Sequence, residues 1–261
     1  MTKEKVTLLE RIRRSDFQLN GKHLKIFGCI TMLCFTVAMS IFQNGFLHVN
    51  QYGVSELSAA IEADPNLTIM AGWTSVLQMI GSLSVPIFAF LLVEGFVHTS
   101  NFKRYLLSLL GYAVISEIPY DLAMYDRIWT LAGQNAMFTY VICLLMLYGL
   151  SQFVGKKGIG FRIMQLVILL AAILWNSLLN CAFGLVTILL TAVYYLLYER
   201  KGQRILLGCA VSVMYVTAPL SGFALWNYNG ERGIIKNKYL FYALYPAHLL
   251  ILGIIAHFLA V

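Results

Sequence analysis

The sequence predicts an all-α, polytopic membrane helix bundle with about eight transmembrane helices. Two observations of composition and one of charge placement predict it. Apolar residues make up 59% of the 261-residue chain and charged residues only 12%, about half the charged share of a soluble domain. Long apolar runs recur from residue 24 to the end. The basic residues behind the net charge of +7 sit in short clusters between those runs, so the charge reads as membrane topology, with no nucleic-acid partner implied.

Residues 1–23 mix Lys and Arg with Val6, Leu8, Leu9, Ile12 and Phe17. They lack the apolar core of a cleavable signal. The stretch reads either as a basic amphipathic segment on the inner leaflet or as a solvated charged tail. Residues 24–261 form one transmembrane domain, because no soluble stretch is long enough to bury a core of its own. A bilayer core about 30 Å thick takes about 20 apolar helical residues. Eight runs meet that need: 24–47, 73–98, 104–124, 136–154, 161–178, 181–199, 203–226 and 239–260. They are continuous rather than alternating, which favours helices over a barrel. Little beyond Asn176, Ser177 and Asn180 separates the fifth run from the sixth, so these two read as a tight helical hairpin.

Eight crossings with a cytoplasmic N-terminus place 15 of the 19 Lys and Arg residues inside. The outside loop 48–72 carries Glu56, Glu62 and Asp64 and no basic residue, as the positive-inside rule requires. One loop conflicts. NGERGIIKNK, 229–238, falls outside on this count yet carries Arg232, Lys236 and Lys238. Either it is a basic functional loop or the count is wrong by one crossing. The five cysteines, Cys29, Cys34, Cys143, Cys181 and Cys209, lie in apolar runs without a CxxC pair and read as small buried hydrophobes. No metal ligand set is visible.

Ionisable groups inside apolar runs cost at least about 2.5–3.5 kcal/mol each and mark functional paths. Three such places stand out, with a fourth that is polar but uncharged. Glu94 and His98 share a helix face at i,i+4 near the cytoplasmic end of the second run. His98 either holds Glu94 ionised or acts as a base oriented by it. The bland alternative pairs Glu94 with Lys103 or Arg104 as a helix lock. Glu117 and Asp121, also i,i+4, flank Pro119, which frees a backbone carbonyl and kinks the helix. Two carboxylates on one face suit acid–base work or a cation. The alternative is an interfacial, solvated Asp121. Gln134 and Asn135 open the fourth run. They suit hydrogen bonds to a carbonyl or carboxylate, or a plain helix cap at Asn135. His248 with Pro246 interrupts the last run, as a base or as a packing residue.

The blocks PIFAFLLVEGFVHT, SEIPYDLA, QNAMFT, NGERG and YPAHLLIL, in this order, resemble the TraX family of multi-pass bacterial membrane proteins, named for the pilin N-acetylase of conjugative plasmids. The resemblance covers residues 24 to about 260. It implies a bacterial cytoplasmic-membrane protein, similar in outline to transmembrane acyltransferases. Such a protein moves an acetyl or other acyl group from acyl-CoA to an amine or hydroxyl of a small-molecule, lipid or peptide acceptor. On that reading Glu94, His98, Glu117, Asp121 and His248 are the catalytic candidates. Gln134, Asn135, Tyr120, Tyr245 and Arg232 are the substrate contacts. The cytoplasmic Lys and Arg residues would meet the CoA phosphates, though no Gly-rich phosphate loop is present.

Two departures stand against the family pattern. Members often carry an Asp-His pair in the first span, in a stretch like MLxDHxG. The matching stretch here is MLCFTVA, with Phe35 at the Asp position and Thr36 at the His position. At LNCAFG, 179–184, an Asp-Tyr-Gly-like start is expected and Leu179 and Asn180 stand instead. His98 or His248 must then supply the base, or the chain has lost turnover. Two other classes stay open: a proton- or cation-coupled transporter using Glu94, Glu117 and Asp121, and a non-catalytic membrane scaffold.

Overall fold

Asn20 starts the first helix. Its side-chain oxygen accepts from the Lys22 and His23 N–H groups at 3.1 Å each, satisfying donors that the first turn leaves open. The computed structural model describes residues 18–49, 52, 54–233 and 238–260, with backbone alone at 54–55 and 238–241. The expected tail therefore lies outside the described residues as far as residue 17.

Helix α1, Gly21–Val37, runs on without a break into a π-helical stretch, Ala38–Phe46. After α2, Val54–Ala63, comes α3, Pro65–Ser82, and then α4, Ser84–Val97. Asp64 caps α3, with proline at the first helical position, where a missing N–H is harmless. Helices α3 and α4 join at Leu83 as one apolar stretch of 33 residues, Pro65–Val97. Helix α5, Phe102–Ile115, is followed by α6, Glu117–Tyr125, at a bend of 44°. The bend falls where the Pro119 ring meets the carbonyl of Ile115 four residues back and supplies no N–H to it.

Then come α7, Ala136–Ser151; α8, Ile159–Leu178; and α9, Gly184–Leu196. As expected, α8 and α9 form a tight hairpin. Its turn is fixed by the Asn176 amide on the Cys181 carbonyl at 3.4 Å. Gly184 lies against the Asn176 side chain, where a Cβ would not fit. The last elements are α10, Lys201–Ser212; two 3-10 turns, Val213–Tyr215 and Ala218–Leu220; α11, Ser221–Trp226; and α12, Lys238–Ala260. No strand occurs among the described residues beyond two isolated bridges. Val93, Leu144, Leu147, Ile188 and Leu190, from α4, α7 and α9, are fully buried. Helix α8 instead exposes Ile163, Leu166, Val167, Leu170 and Leu174, as a lipid-facing helix can, because lipid tails are as apolar as leucine.

Among the described residues, four helical stretches are long and apolar enough to cross a membrane: Gly21–Phe46, Pro65–Val97, Ile159–Leu178 and Tyr242–Ala260. The bent α5–α6 pair makes a fifth, and α7 and α9 are shorter apolar helices. The expected span at 203–226 is not one. Helix α10 enters, the chain reverses through the 3-10 turns, and α11 returns beside it. Gly222 packs on Cys209, and the Cys209 thiol meets the Pro219 carbonyl at 3.4 Å. The Lys201 ammonium donates to the Tyr228 carbonyl at 3.1 Å, so both ends of the hairpin share one side. Its tip meets the α3–α4 junction, where Thr217 and Ser82 hydroxyls are 2.9 Å apart. Apolar composition alone could not separate a crossing from an in-and-out hairpin of the same length.

The hairpin also resolves the conflicting loop. Leu19 and Tyr228 form a bridge, and the Gly21 N–H donates to the Glu231 carbonyl at 2.7 Å. Arg232 thus lies at the end of the bundle where α1 begins, not at the opposite end as the eight-crossing count placed it. Arg127, which follows α6, lies at the other end, where Asn44 near the end of the π-helical stretch meets the Ala123 carbonyl. Lys236 is outside the described residues.

Candidate functional site

Two groups of buried polar side chains stand out, one near the middle of the bundle and one at the end where α1 begins. The first joins α1, α6, α7 and α12. Asn135 caps α7 through its side-chain oxygen, 3.0 Å from the Met137 N–H. Its amide nitrogen faces α5 and α6, donating to the Ala113 carbonyl at 2.8 Å and to Glu117 Oε2. The cap and the carboxylate contact are therefore one residue's two ends. Asp121 accepts from the Thr130 N–H at 2.9 Å. The second oxygen of each carboxylate, Glu117 Oε1 and Asp121 Oδ1, is buried without a hydrogen-bond partner among the described residues.

His248 lies one turn beyond Tyr245, with their rings 5.6 Å apart edge to face. The Tyr245 hydroxyl bonds the Ala136 backbone. His248 Nδ1 is 2.8 Å from the Leu244 carbonyl. A carbonyl only accepts, so Nδ1 carries a proton. Nε2 then faces the Thr36 hydroxyl at 3.1 Å. Thr36 is also 3.2 Å from the Met32 carbonyl, so its single proton has two acceptors to serve. A proton taken up on Nε2 completes the network: Nε2–H donates to Thr36, and Thr36 donates to Met32. The position held by histidine in the family pattern thus sits directly against the histidine of the last helix. Phe35 has no such polar role. Its ring packs edge-on at 5.0 Å to Phe183, and its backbone fills the space above Gly81.

The second group surrounds a cavity of about 420 Å³ lined by α4, α10, α11, Tyr198 of the link between α9 and α10, and the segment after α11. Glu94 and Arg204 form a buried ion pair at 2.8 Å, their side chains 10% and 8% exposed. Burial of such a pair requires its remaining sites to be filled. Tyr198 donates to Glu94 Oε2 at 3.3 Å, and the Tyr228 side chain also bonds Glu94. Burial, with the Glu94 charge adding to it, pushes the Tyr228 phenol up to about 12, so it stays a donor at neutral pH. The Arg204 guanidinium lies 4.0 Å from the Phe90 ring and 4.6 Å from the Tyr198 ring.

The structure brings Glu117, Asn135, Tyr245 and His248 into one region, with Tyr120 packed against the Ala123, Tyr245 and Leu249 cluster beside it. Gln134 is held by its backbone to 180–182. The Asn180 amide meets the Ala132 carbonyl, so the departure at LNCAFG is a docked turn. Arg232 is exposed at the end of the bundle where α1 begins and is not part of this region. Glu94 and His98 are near, but the pair is loose. His98 Nδ1 is 3.8 Å from Glu94 Oε2, and its ring is 61% exposed and bound to the Glu94 backbone carbonyl. The cation that holds Glu94 is Arg204, not His98, Lys103 or Arg104. Sequence reasoning passed over Arg204, Tyr198 and Tyr228. The one signal was Arg204 at the head of an apolar run.

A helical bundle with apolar, lipid-suited faces and ionisable groups buried between its helices defines a polytopic membrane protein. Within that class the chain matches the TraX protein family over residues 21–256 and belongs to it. It is 28% identical over 205 residues to the "Probable fimbrial assembly protein FimC, serogroup H1" of Dichelobacter nodosus, covering 67% of this chain and 81% of that protein. No solved structure matches.

Proposed function

We propose that this protein is a membrane-embedded acyltransferase in which His248 is the general base. The observation that supports this is the His248 geometry: Nδ1 fixed by the Leu244 carbonyl and Nε2 turned to Thr36. A histidine so held is a neutral imidazole with one basic nitrogen in a defined direction. It replaces the absent Asp-His pair at Phe35 and Thr36. The donor implied by the family, an acyl-CoA thioester, supplies an activated acyl group. His248 takes the proton of the acceptor amine or hydroxyl as the new bond to the acyl carbon forms, and returns it to the leaving thiolate. Tyr245 is the donor near this point that can orient a carbonyl; both amide protons of Asn135 are already held by Ala113 and Glu117.

The fimbrial assembly protein it resembles suggests that the acceptor is a component of a surface filament, such as a pilin-like peptide. The setting is a bacterial cytoplasmic membrane with the N-terminus inside. With the 201–226 segment re-entrant, seven crossings place Arg232 inside and leave Arg127 outside, in better accord with the positive-inside rule than eight.

The test is transfer of radiolabelled acetyl from acetyl-CoA in proteoliposomes supplied with host membrane protein. Wild type is expected to label an acceptor and release CoA. His248→Ala is expected to lose about 100-fold or more of that rate while remaining folded. Unlabelled acceptor in the wild type, or full activity in the variant, rejects the assignment. A second reading, a proton-coupled transporter, is favoured by one observation, the buried oxygens of Glu117 and Asp121 that have no partner among the described residues. Proton flux into the same vesicles, driven by a substrate gradient, would select it.

A further inference from the structure

Arg204, beside the cavity, has an unfilled hydrogen-bond requirement. Arg204 is 6% exposed, and its Nε is buried without a hydrogen-bond partner among the described residues. The Phe90 and Tyr198 rings lie 4.0 Å and 4.6 Å from the guanidinium carbon, and its N–H groups bond in the plane of the group. Nη2 is taken by Glu94. The Nε edge is left, in a group that lines about 420 Å³ of open space. Leaving a charged donor unsatisfied in a buried site is costly. Lys201 and the His98 ring line the same cavity, with Glu94 the one carboxylate among its lining residues. Arg204 and Lys201 against Glu94 leave a formal excess of one positive charge. Glu94 already receives Arg204, Tyr198 and Tyr228.

We infer that the cavity between α4, α10 and the segment after α11 binds a phosphodiester or pyrophosphate anion through the Arg204 edge and Lys201. A guanidinium edge and an ammonium give such an anion in-plane and point-charge donors together. The excess charge matches one phosphodiester. The cavity lies at the end of the bundle where α1 begins, at the level of Lys201 and Tyr228, so two sources can deliver this chemistry: a lipid headgroup or a soluble phosphate compound. The site stands whether or not acyl transfer takes place.

The experiment uses the full chain in a zwitterionic, phosphate-free detergent. Pyrophosphate and coenzyme A are titrated by calorimetry, and binding of phosphatidylglycerol is read by native mass spectrometry. Four proteins are compared: wild type, Glu94→Gln, Lys201→Gln and the double variant Arg204→Gln with Glu94→Gln. The double variant removes one charge of each sign, so it keeps the cavity's net charge and leaves no unpaired carboxylate if it folds. Wild type is expected to bind at least one probe. Glu94→Gln, which frees the second Arg204 edge, binds it more tightly. Lys201→Gln and the double variant bind it at least about tenfold more weakly. Coenzyme A and pyrophosphate without lipid identify a soluble ligand; phosphatidylglycerol alone identifies a lipid. Absence of all three from the wild type overturns the proposal. So does equal binding by wild type and a double variant whose helical circular dichroism is unchanged.

Discussion

Glu94 of α4 and Arg204 of α10 meet at 2.8 Å although 110 residues separate them. This contact fastens the α10–α11 hairpin to the bundle. Both side chains are buried, so each depends on the other for its charge to be tolerated.

Removing one partner is therefore worse than removing both. Arg204→Leu should cost about 3–5 kcal/mol by leaving a buried carboxylate unpaired. The double change Glu94→Gln with Arg204→Gln should cost distinctly less. Thermal unfolding in detergent reads the difference. Equal losses for the single and double variants would contradict a coupled pair.

Thr36 and His248 give a second prediction. Thr36→Val keeps the shape of the side chain and removes the hydroxyl that faces Nε2. If His248 is the base, Thr36→Val retains measurable acyl transfer while His248→Ala does not. Rates from the same proteoliposomes decide it. Loss in both to the same level would make Thr36 part of the chemistry.

The reversal of 201–226 predicts which ends are exposed together. Single cysteines at Asn229 and at Gln18 should react with an impermeant maleimide from the same side of the membrane, and one at Arg127 from the other. The five native cysteines are first replaced by alanine or serine. Labelling of Asn229 with Arg127 would restore a full crossing at 203–226.

Close packing at Gly81 makes a fourth. A Cβ there would lie 2.4 Å from the Phe35 Cβ and 2.7 Å from its Cα. Backbone cannot yield as a flexible side chain does. Gly81→Ala should separate α1 from α3 and lower stability by about 1–3 kcal/mol, measured as a fall in Tm. An unchanged Tm would mean that the two helices are not in this register.

Much of this architecture was legible in the residues. The helical class, the hairpin of α8 and α9, the break near Pro119 and the cap at Asn135 each follow from local chemistry: apolar length, small polar residues at a turn, a missing N–H, a side-chain oxygen before a helix. The site was legible only in part. Glu94, Glu117, Asp121 and His248 announce themselves because an ionisable group in an apolar run is costly wherever it lies. Their partners do not, because Arg204 in a basic cluster looks like any interfacial arginine.

The sequence by itself determined that this chain is a bundle of membrane helices of the TraX family, with titratable groups in its interior and without the Asp-His pair of the first span. Hydropathy and motif order are properties of consecutive residues, and they suffice for that. Only the tertiary structure decided that 203–226 turns back, that Arg204 rather than His98 holds Glu94, and that Thr36 faces His248. Those are contacts between segments distant in the chain, fixed by how helices pack and by which buried charge can find an opposite one.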